Sequence, residues 1–271
     1  MPYPICVTCG VQLAATDTPP ALCPVCDDDR QYIGHAGQKW TSLDDLRMEH
    51  RNVVSSIDPG LYGVITEPKV GIGQQAHLIQ TPAGNLLWNC ISLIDDETLQ
   101  AVNELGGLAA IAISHPHFFS SMVEWSLAFG GIPIVVNAAD REWVTRSDAN
   151  IVFWDGNKAD PLPGSGLTLI HCGGHFPGSC ALHWAAGAEG NGALLTGDTI
   201  QVVADRRWVS FLYSYPNLIP LDAPAIERIV AAVEPYAFDR VYGGWPESIV
   251  VSDAKAAVRR SAERYLAHIG A

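Results

Sequence analysis

Short apolar runs bounded by glycine, proline or asparagine alternate with longer amphipathic stretches along most of the chain. LYGVITEP, QAHLIQT and GNLLWNC read as strands, with TPAG between the last two as a hairpin turn. Ahead of them, QYIGHAGQKWTSLDDLRMEHRN reads as a linker followed by a short helix. Thr41 or Ser42 would cap that helix, and Asp44 and Asp45 would lie in its first turn. The rhythm then changes. DDETLQAVNELGG is predicted to be a helix ending on glycine, LAAIAIS a buried strand, SMVEWSLAFGG a helix, IPIVVNA a second buried strand and AADREWVTRS a short helix. Such alternation places helices over a sheet. Strands return from IVFWDG through GLTLIHC, SCALHWAAG and GALLTGD, and SDAKAAVRRSAERYLAHI closes the chain as an amphipathic helix.

At 271 residues and 48% hydrophobic content, the chain can bury a large core, as one domain or as a domain with a small appendage. Its apolar runs fall far short of the roughly 18 residues a spanning helix needs. MPYPICVTCG lacks the basic start and apolar stretch of a secretory signal, so a cytoplasmic protein is expected. The net charge of −13 argues against nucleic acid and against an anionic membrane surface as partners.

The cysteines refine the picture. Cys6 and Cys9 form one C-x-x-C pair, and Cys23 and Cys26 form a second after thirteen intervening residues. Two such knuckles let four thiolates converge on one zinc ion, whereas a redox dithiol is usually a single pair opening a helix. Four sulfurs leave no open position, so this zinc is expected to be structural. The segment resembles zinc ribbons of the rubredoxin-knuckle type over residues 1 to about 30. Residues 1–52 are assigned to ribbon and linker, and 53–271 to the main domain. Residues 1–50 carry three basic and seven acidic side chains, so the ribbon is expected to meet protein, or the main domain itself, rather than phosphate.

Candidate chemistry lies in three further segments. SHPHFFSSM carries His115 and His117, two apart after a buried strand, where strand alternation would point both the same way. GGHFPGS sets His175 among glycines, and GALLTGD ends a strand on Asp198. A lone histidine is usually structural and a Gly-Asp pair usually a turn. In order and spacing, however, the three segments resemble the metallo-β-lactamase fold superfamily over roughly residues 57–250.

That resemblance implies a four-layer αββα sandwich with metal at one edge. It implies that His115, His117 and His175 are the imidazoles of a first metal, and that Asp198 is the carboxylate between two metals. It also exposes departures. In the family motif H-x-H-x-D-H, the aspartate falls on Phe119 and the second-metal histidine on Ser120, while the last family histidine falls nearest Trp245. Only Asp198 remains for a second ion, so one active-site ion is expected. Three imidazoles with an open corner would suit zinc, and two with Asp198 would form a facial triad for ferrous iron.

The leading expectation is a metal-dependent hydrolase of a small ester, thioester or related carbonyl substrate, with Asp198 as fourth ligand or general base. One alternative is a mononuclear iron dioxygenase acting on sulfur or persulfide compounds. The other is a non-catalytic interaction protein whose cavity is filled by Phe118, Phe119 and Trp245. Phe119, Ser120, Tyr213, Tyr215 and Trp245 are the candidate pocket residues. Tyr213 and Tyr215 would either donate to an oxyanion or form an aromatic packing layer. His77, His171, His183, Cys90, Cys172 and Cys180 read as packing residues and inert thiols.

Overall fold

Strand residues that alternate between two apolar environments mark the middle of the molecule. Leu86, Trp88, Ala110, Ala112 and Val135 share a core with Leu167, Leu169, Leu182 and Leu195. Leu87, Ile111, Ile134 and Val136 turn to the opposite side. A period of two thus puts one apolar set between two sheets and the other under helices. The computed structural model describes residues 3–270. Its first sheet runs in chain order through Arg51–Asp58, Leu61–Glu67, Ala76–Ile79, Leu86–Trp88, Ala110–Ala112, Ile134–Asn137 and Ile151–Trp154. The first four strands pair antiparallel and the last four parallel. The second sheet contains Lys158–Ala159, Leu167–His171, Cys180–Trp184, Ala193–Gly197, Arg240–Gly243 and Ile249–Val250.

Helix α1 (Leu43–Glu49) opens on a capping box in which the Ser42 hydroxyl accepts from the Asp45 N–H and the Asp45 carboxylate from the Ser42 N–H, which makes Ser42 the cap. Helices α2 (Asp96–Glu104) and α3 (Met122–Ala128) cover the first sheet, where Val102, Met122, Val123 and Trp125 pack with Leu87 and Ile111. Helices α4 (Ala223–Val233) and α5 (Ala254–Ile269) cover the second, with Ile226, Ile229, Ala257 and Val258 against Ile170, Leu194 and Val241. These are the four layers of the αββα sandwich expected from the sequence. Among the described residues, no helix is long and apolar enough to cross a membrane.

Several elements have no counterpart among those predicted, the longest being the strand Arg51–Asp58 and helix α4. The strand Arg51–Asp58 lies at the sheet edge, half exposed, and lacks the apolar alternation of its neighbours. Helix α4 begins at Asp222, whose side chain accepts from the Ala225 N–H, with proline in its first turn. One predicted helix is tighter than expected: Ala138–Trp143 is a 3-10 turn, capped by the Asn137 side chain.

The predicted linker belongs to the ribbon. Trp40–Thr41 pairs with Ile5–Cys6, and the Gln38 amide accepts from the Cys23 N–H and donates to Cys6 Sγ. Gly10, at φ +83°, lets its N–H reach the Cys6 carbonyl at 2.8 Å. The ribbon docks on the sandwich. The Gln12 N–H donates to the Ser120 carbonyl, the Ala14 N–H to the Thr145 carbonyl and the Ser92 hydroxyl to the Gly10 carbonyl. Cys9, Val11 and Val25 share an apolar cluster with Phe118, Phe119 and Trp125.

Replacing Cys6 and Cys9 together by serine is expected to remove one metal equivalent per chain and, at about 10 kcal/mol for the ion and about 2–4 °C per kcal/mol, to lower the thermal midpoint by roughly 20 °C or more. Elemental analysis and a circular-dichroism melt check both. An unchanged metal count would show that the four thiols hold no ion.

Candidate metal centre

Three chain turns bring the polar cluster together. His115 is extended, at φ −171° and ψ 171°, and Pro116 then starts a 3-10 turn over Pro116–Phe118. His115 and His117 therefore converge through a turn, not through strand alternation as expected, because the strand Ala110–Ala112 has already ended. Their ring centroids lie 5.2 Å apart. His175 sits in the loop after Leu167–His171, and Asp198 directly follows Ala193–Gly197. Gly197 adopts φ +51°, and a Cβ there would lie 2.6 Å from Ser114 Oγ and 3.5 Å from His115 Nδ1. The bare glycine is what lets the two strand ends approach.

Asp198 Oδ2 lies 3.3 Å from His115 Nε2, 3.7 Å from His175 Nε2 and 3.9 Å from His117 Nδ1. His117 Nδ1 and His175 Nε2 are 3.2 Å apart. A zinc ion bound at about 2.0–2.1 Å spaces its tetrahedral donors about 3.3–3.4 Å apart, so these separations fit one ion. His115, His117, His175 and Asp198 are all at most 4% exposed. His115 Nε2 and Asp198 Oδ1 are buried without a hydrogen bond, which is costly unless a cation completes them. The ribbon passes the same test. Cys6 Sγ–Cys26 Sγ is 3.7 Å and Cys9 Sγ–Cys23 Sγ is 3.8 Å, too long for disulfides and close to the roughly 3.8 Å edge of a zinc tetrathiolate.

Hydrogen bonds orient the rings. His175 Nδ1 faces the Leu212 carbonyl at 3.2 Å, which can only accept, so that nitrogen carries the proton and Nε2 presents its lone pair. Ser114 Oγ holds His115 Nδ1 at 2.8 Å. Burial pushes His115 below the usual imidazole value, with Asp198 pulling the other way. Burial and then the two neighbouring imidazoles push His175 well below it. Burial alone would raise Asp198, but the surrounding histidines outweigh it and hold the carboxyl well below the usual range. Neutral imidazoles beside an ionised carboxylate are the protonation states that bind a dication.

The five candidate pocket residues divide. Phe119 is 1% exposed, within the cluster that includes the ribbon sulfurs. Ser120 is equally sealed: its hydroxyl accepts from the Gln74 amide and donates to the Cys90 carbonyl, and its own carbonyl receives Gln12 of the ribbon. Trp245 donates to the Ile72 carbonyl and lies 6.2 Å from the Phe118 ring. Tyr215 donates its hydroxyl to the Asp198 carbonyl, and Tyr213 donates to Asp29 of the ribbon segment. Both tyrosine protons are thus already given to protein acceptors. The remaining histidines and thiols pack as expected. His171 Nε2 meets the Pro177 carbonyl, and His183 Nε2 meets the Ala237 carbonyl. Burial pushes Cys172 up to about 12 and raises Cys90 and Cys180 as well.

Two residues around the centre have no role in the sequence reading. Arg30, just past the ribbon, places its guanidinium 4.4 Å from the Phe176 ring centroid and 4.6 Å from that of Tyr213. Phe176 in turn lies within 4.9–5.8 Å of all three imidazoles. Asp140, buried in the 3-10 turn, accepts from the Gly178 N–H at 2.7 Å and so braces the His175 loop. An acid after a strand end carries no motif, so neither side chain is singled out by spacing alone.

No protein-family model matches the chain. It is 50% identical over 268 residues to the uncharacterised protein YmaE of Bacillus subtilis (strain 168), covering 98% of this chain and 96% of that one. Among solved structures, it resembles the DIM-1 metallo-β-lactamase with a TM-score of 0.60 at 12% identity, over 80% of this chain and 98% of that one. A subclass B3 metallo-β-lactamase isolated from a soil metagenome library superposes with a TM-score of 0.55 at 18% identity, over 80% and 94%.

Substituting Gly197→Ala is expected to displace Ser114 and His115 and to weaken metal binding by about 10–100-fold, as loss of an orienting contact typically does. Competition with a chromophoric chelator reads this, and an unchanged affinity would contradict the close approach. A second expectation concerns Asp140, whose carboxyl burial pushes up to about 7 against the Gly178 hydrogen bond and the Arg30 charge. Between the ordinary value of 3.8 and about 7, the folded chain keeps a proton that the unfolded chain has lost, so stability falls as pH rises through that window. Asp140→Asn should flatten this decline in urea midpoints, and a slope equal to wild type would refute it.

Proposed function

The chain belongs to the family of Bacillus subtilis YmaE and has the metallo-β-lactamase fold, and on that footing we propose that it is a mononuclear metal-dependent hydrolase of a small ester, thioester or related carbonyl compound. The observation that carries the reading is the convergence of His115, His117 and His175 around one point with Asp198 beside them, an arrangement that can leave a fourth coordination position for water. A single ion is supported by the fate of Phe119, Ser120 and Trp245, which are engaged in packing and hydrogen bonds. Three imidazoles and a carboxylate favour zinc.

Zinc held here supplies a Lewis acid and brings the pKa of a bound water to about 7. The protein does the rest. Leu212 and Ser114 fix the imidazoles, Tyr215 anchors the backbone of Asp198, and Asp198 Oδ1 is an unpartnered acceptor for the proton of the attacking water. Phe118, Phe176 and Tyr215 stand 4.9–5.6 Å from the imidazole centroids. Substrate reaches the donors only when one of these rings swings aside.

That sealing favours a second reading, a metal-stabilised protein without turnover. Zinc content and the hydrolysis of a panel of aryl esters and acyl thioesters separate the two. The hydrolase reading expects a second zinc beyond that of the ribbon, lost in His115→Ala/His117→Ala together with all hydrolysis. It also expects a rate reduced about 10²–10⁴-fold in Asp198→Asn that still holds zinc. A second zinc without any turnover would leave the structural reading. Iron with oxygen uptake in place of zinc would overturn both.

A further inference from the structure

A cleft of about 730 Å³ opens on the outer side of the His175 loop, walled by residues 170–174 and by α4. We propose that it binds a small organic anion, an apolar or aromatic body ending in a phosphate or carboxylate group, with Arg228 and Lys158 as its charge partners. The proposal does not depend on the hydrolase reading, since none of the four metal-centre donors lines this cleft.

Charge is the first argument. The chain carries a net charge of −13, yet Arg30, Lys158 and Arg228 line the cleft and no Asp or Glu does. A concave surface lined by one sign of charge focuses the field on a ligand of the other sign. Arg30 is already paired with Asp28, so it contributes less. Arg228 and Lys158 make no ion pair among the described residues. Arg228 is held in place by its Nε–H, which donates to the Cys172 carbonyl at 3.2 Å, and this leaves the two Nη groups for a ligand. An added Cβ on Gly173 would come within 3.3 Å of Arg228 Nη2 and 3.4 Å of Nε, so the bare glycine gives the guanidinium room beside the loop. A guanidinium edge matches the oxygens of a phosphate or carboxylate in a bidentate pair.

Shape and polarity supply the second argument. Ile170, Ala231, Ala232, Pro235 and Tyr236 give the remaining wall an apolar character. Size and lining together match sites that take a small molecule with one charged end.

Calorimetric titration of the zinc-loaded full-length protein with phenyl phosphate and with benzoate tests the site, with inorganic phosphate and acetate as head-group controls. Binding of one equivalent of phenyl phosphate or benzoate is expected, and whichever binds more tightly identifies the head group. The affinity should fall at least about tenfold in Arg228→Met or Lys158→Met and persist in His115→Ala/His117→Ala. Lys158 is exposed, so its variant decides the matter if the arginine variant does not fold. No saturable binding of either probe, wild-type affinity in both cation variants, or loss of binding in the histidine variant would each overturn the proposal.

Discussion

Burying three imidazoles and an ionised carboxylate side by side is costly unless a cation joins them. An unpartnered buried polar group costs on the order of 1–3 kcal/mol, and a buried charge more. This fold concentrates such groups at one point, with His115 Nε2 and Asp198 Oδ1 both orphaned. The surrounding structure enforces the arrangement: Pro116 turns the chain between two histidines, Gly197 lets its strand end approach Ser114, and Asp140 braces the loop that carries His175. The rings of Phe118 and Phe176 pack edge-on against His115 and His117, each 4.9 Å from the imidazole it faces.

The ribbon is part of the same construction. Its backbone bonds to Ser120 and Thr145, and its sulfurs share a cluster with Phe119. Asn217 reaches back to the carbonyls of Asp29 and Gln31, and the Ser214 hydroxyl donates to the Arg30 carbonyl. The strand Leu212–Ser214, which supplies the Leu212 carbonyl to His175, therefore leads straight into the ribbon contact. Phe119 packs in the ribbon's apolar cluster, and the Ser120 carbonyl accepts from the Gln12 N–H.

Much of this was legible in residue order. Alternating apolar runs such as LAAIAIS and IPIVVNA specify strands buried on both faces, and Ser42 and Asp95 mark helix starts through their caps. The cysteine spacing and the three metal-site segments are equally local signals. The strand Arg51–Asp58 was not legible because an edge strand needs no apolar alternation. Helix α4 was different: Asp222, a proline in the first turn, and Ile226, Ile229 and Val233 at helical spacing did signal it. Arg30 and Asp140 were beyond reach for another reason. Their partners, Phe176 and Gly178, lie more than thirty residues away, and no local pattern encodes such contacts.

The most direct measurement is anomalous scattering at the zinc edge from crystals of the metal-replete protein. The account predicts one peak amid the four sulfurs. It predicts a single second peak, about 2.0–2.1 Å from His115 Nε2, His117 Nδ1 and His175 Nε2, with Asp198 beside it. A peak at the ribbon alone, or two peaks about 3.5–4 Å apart beside Asp198, would contradict it.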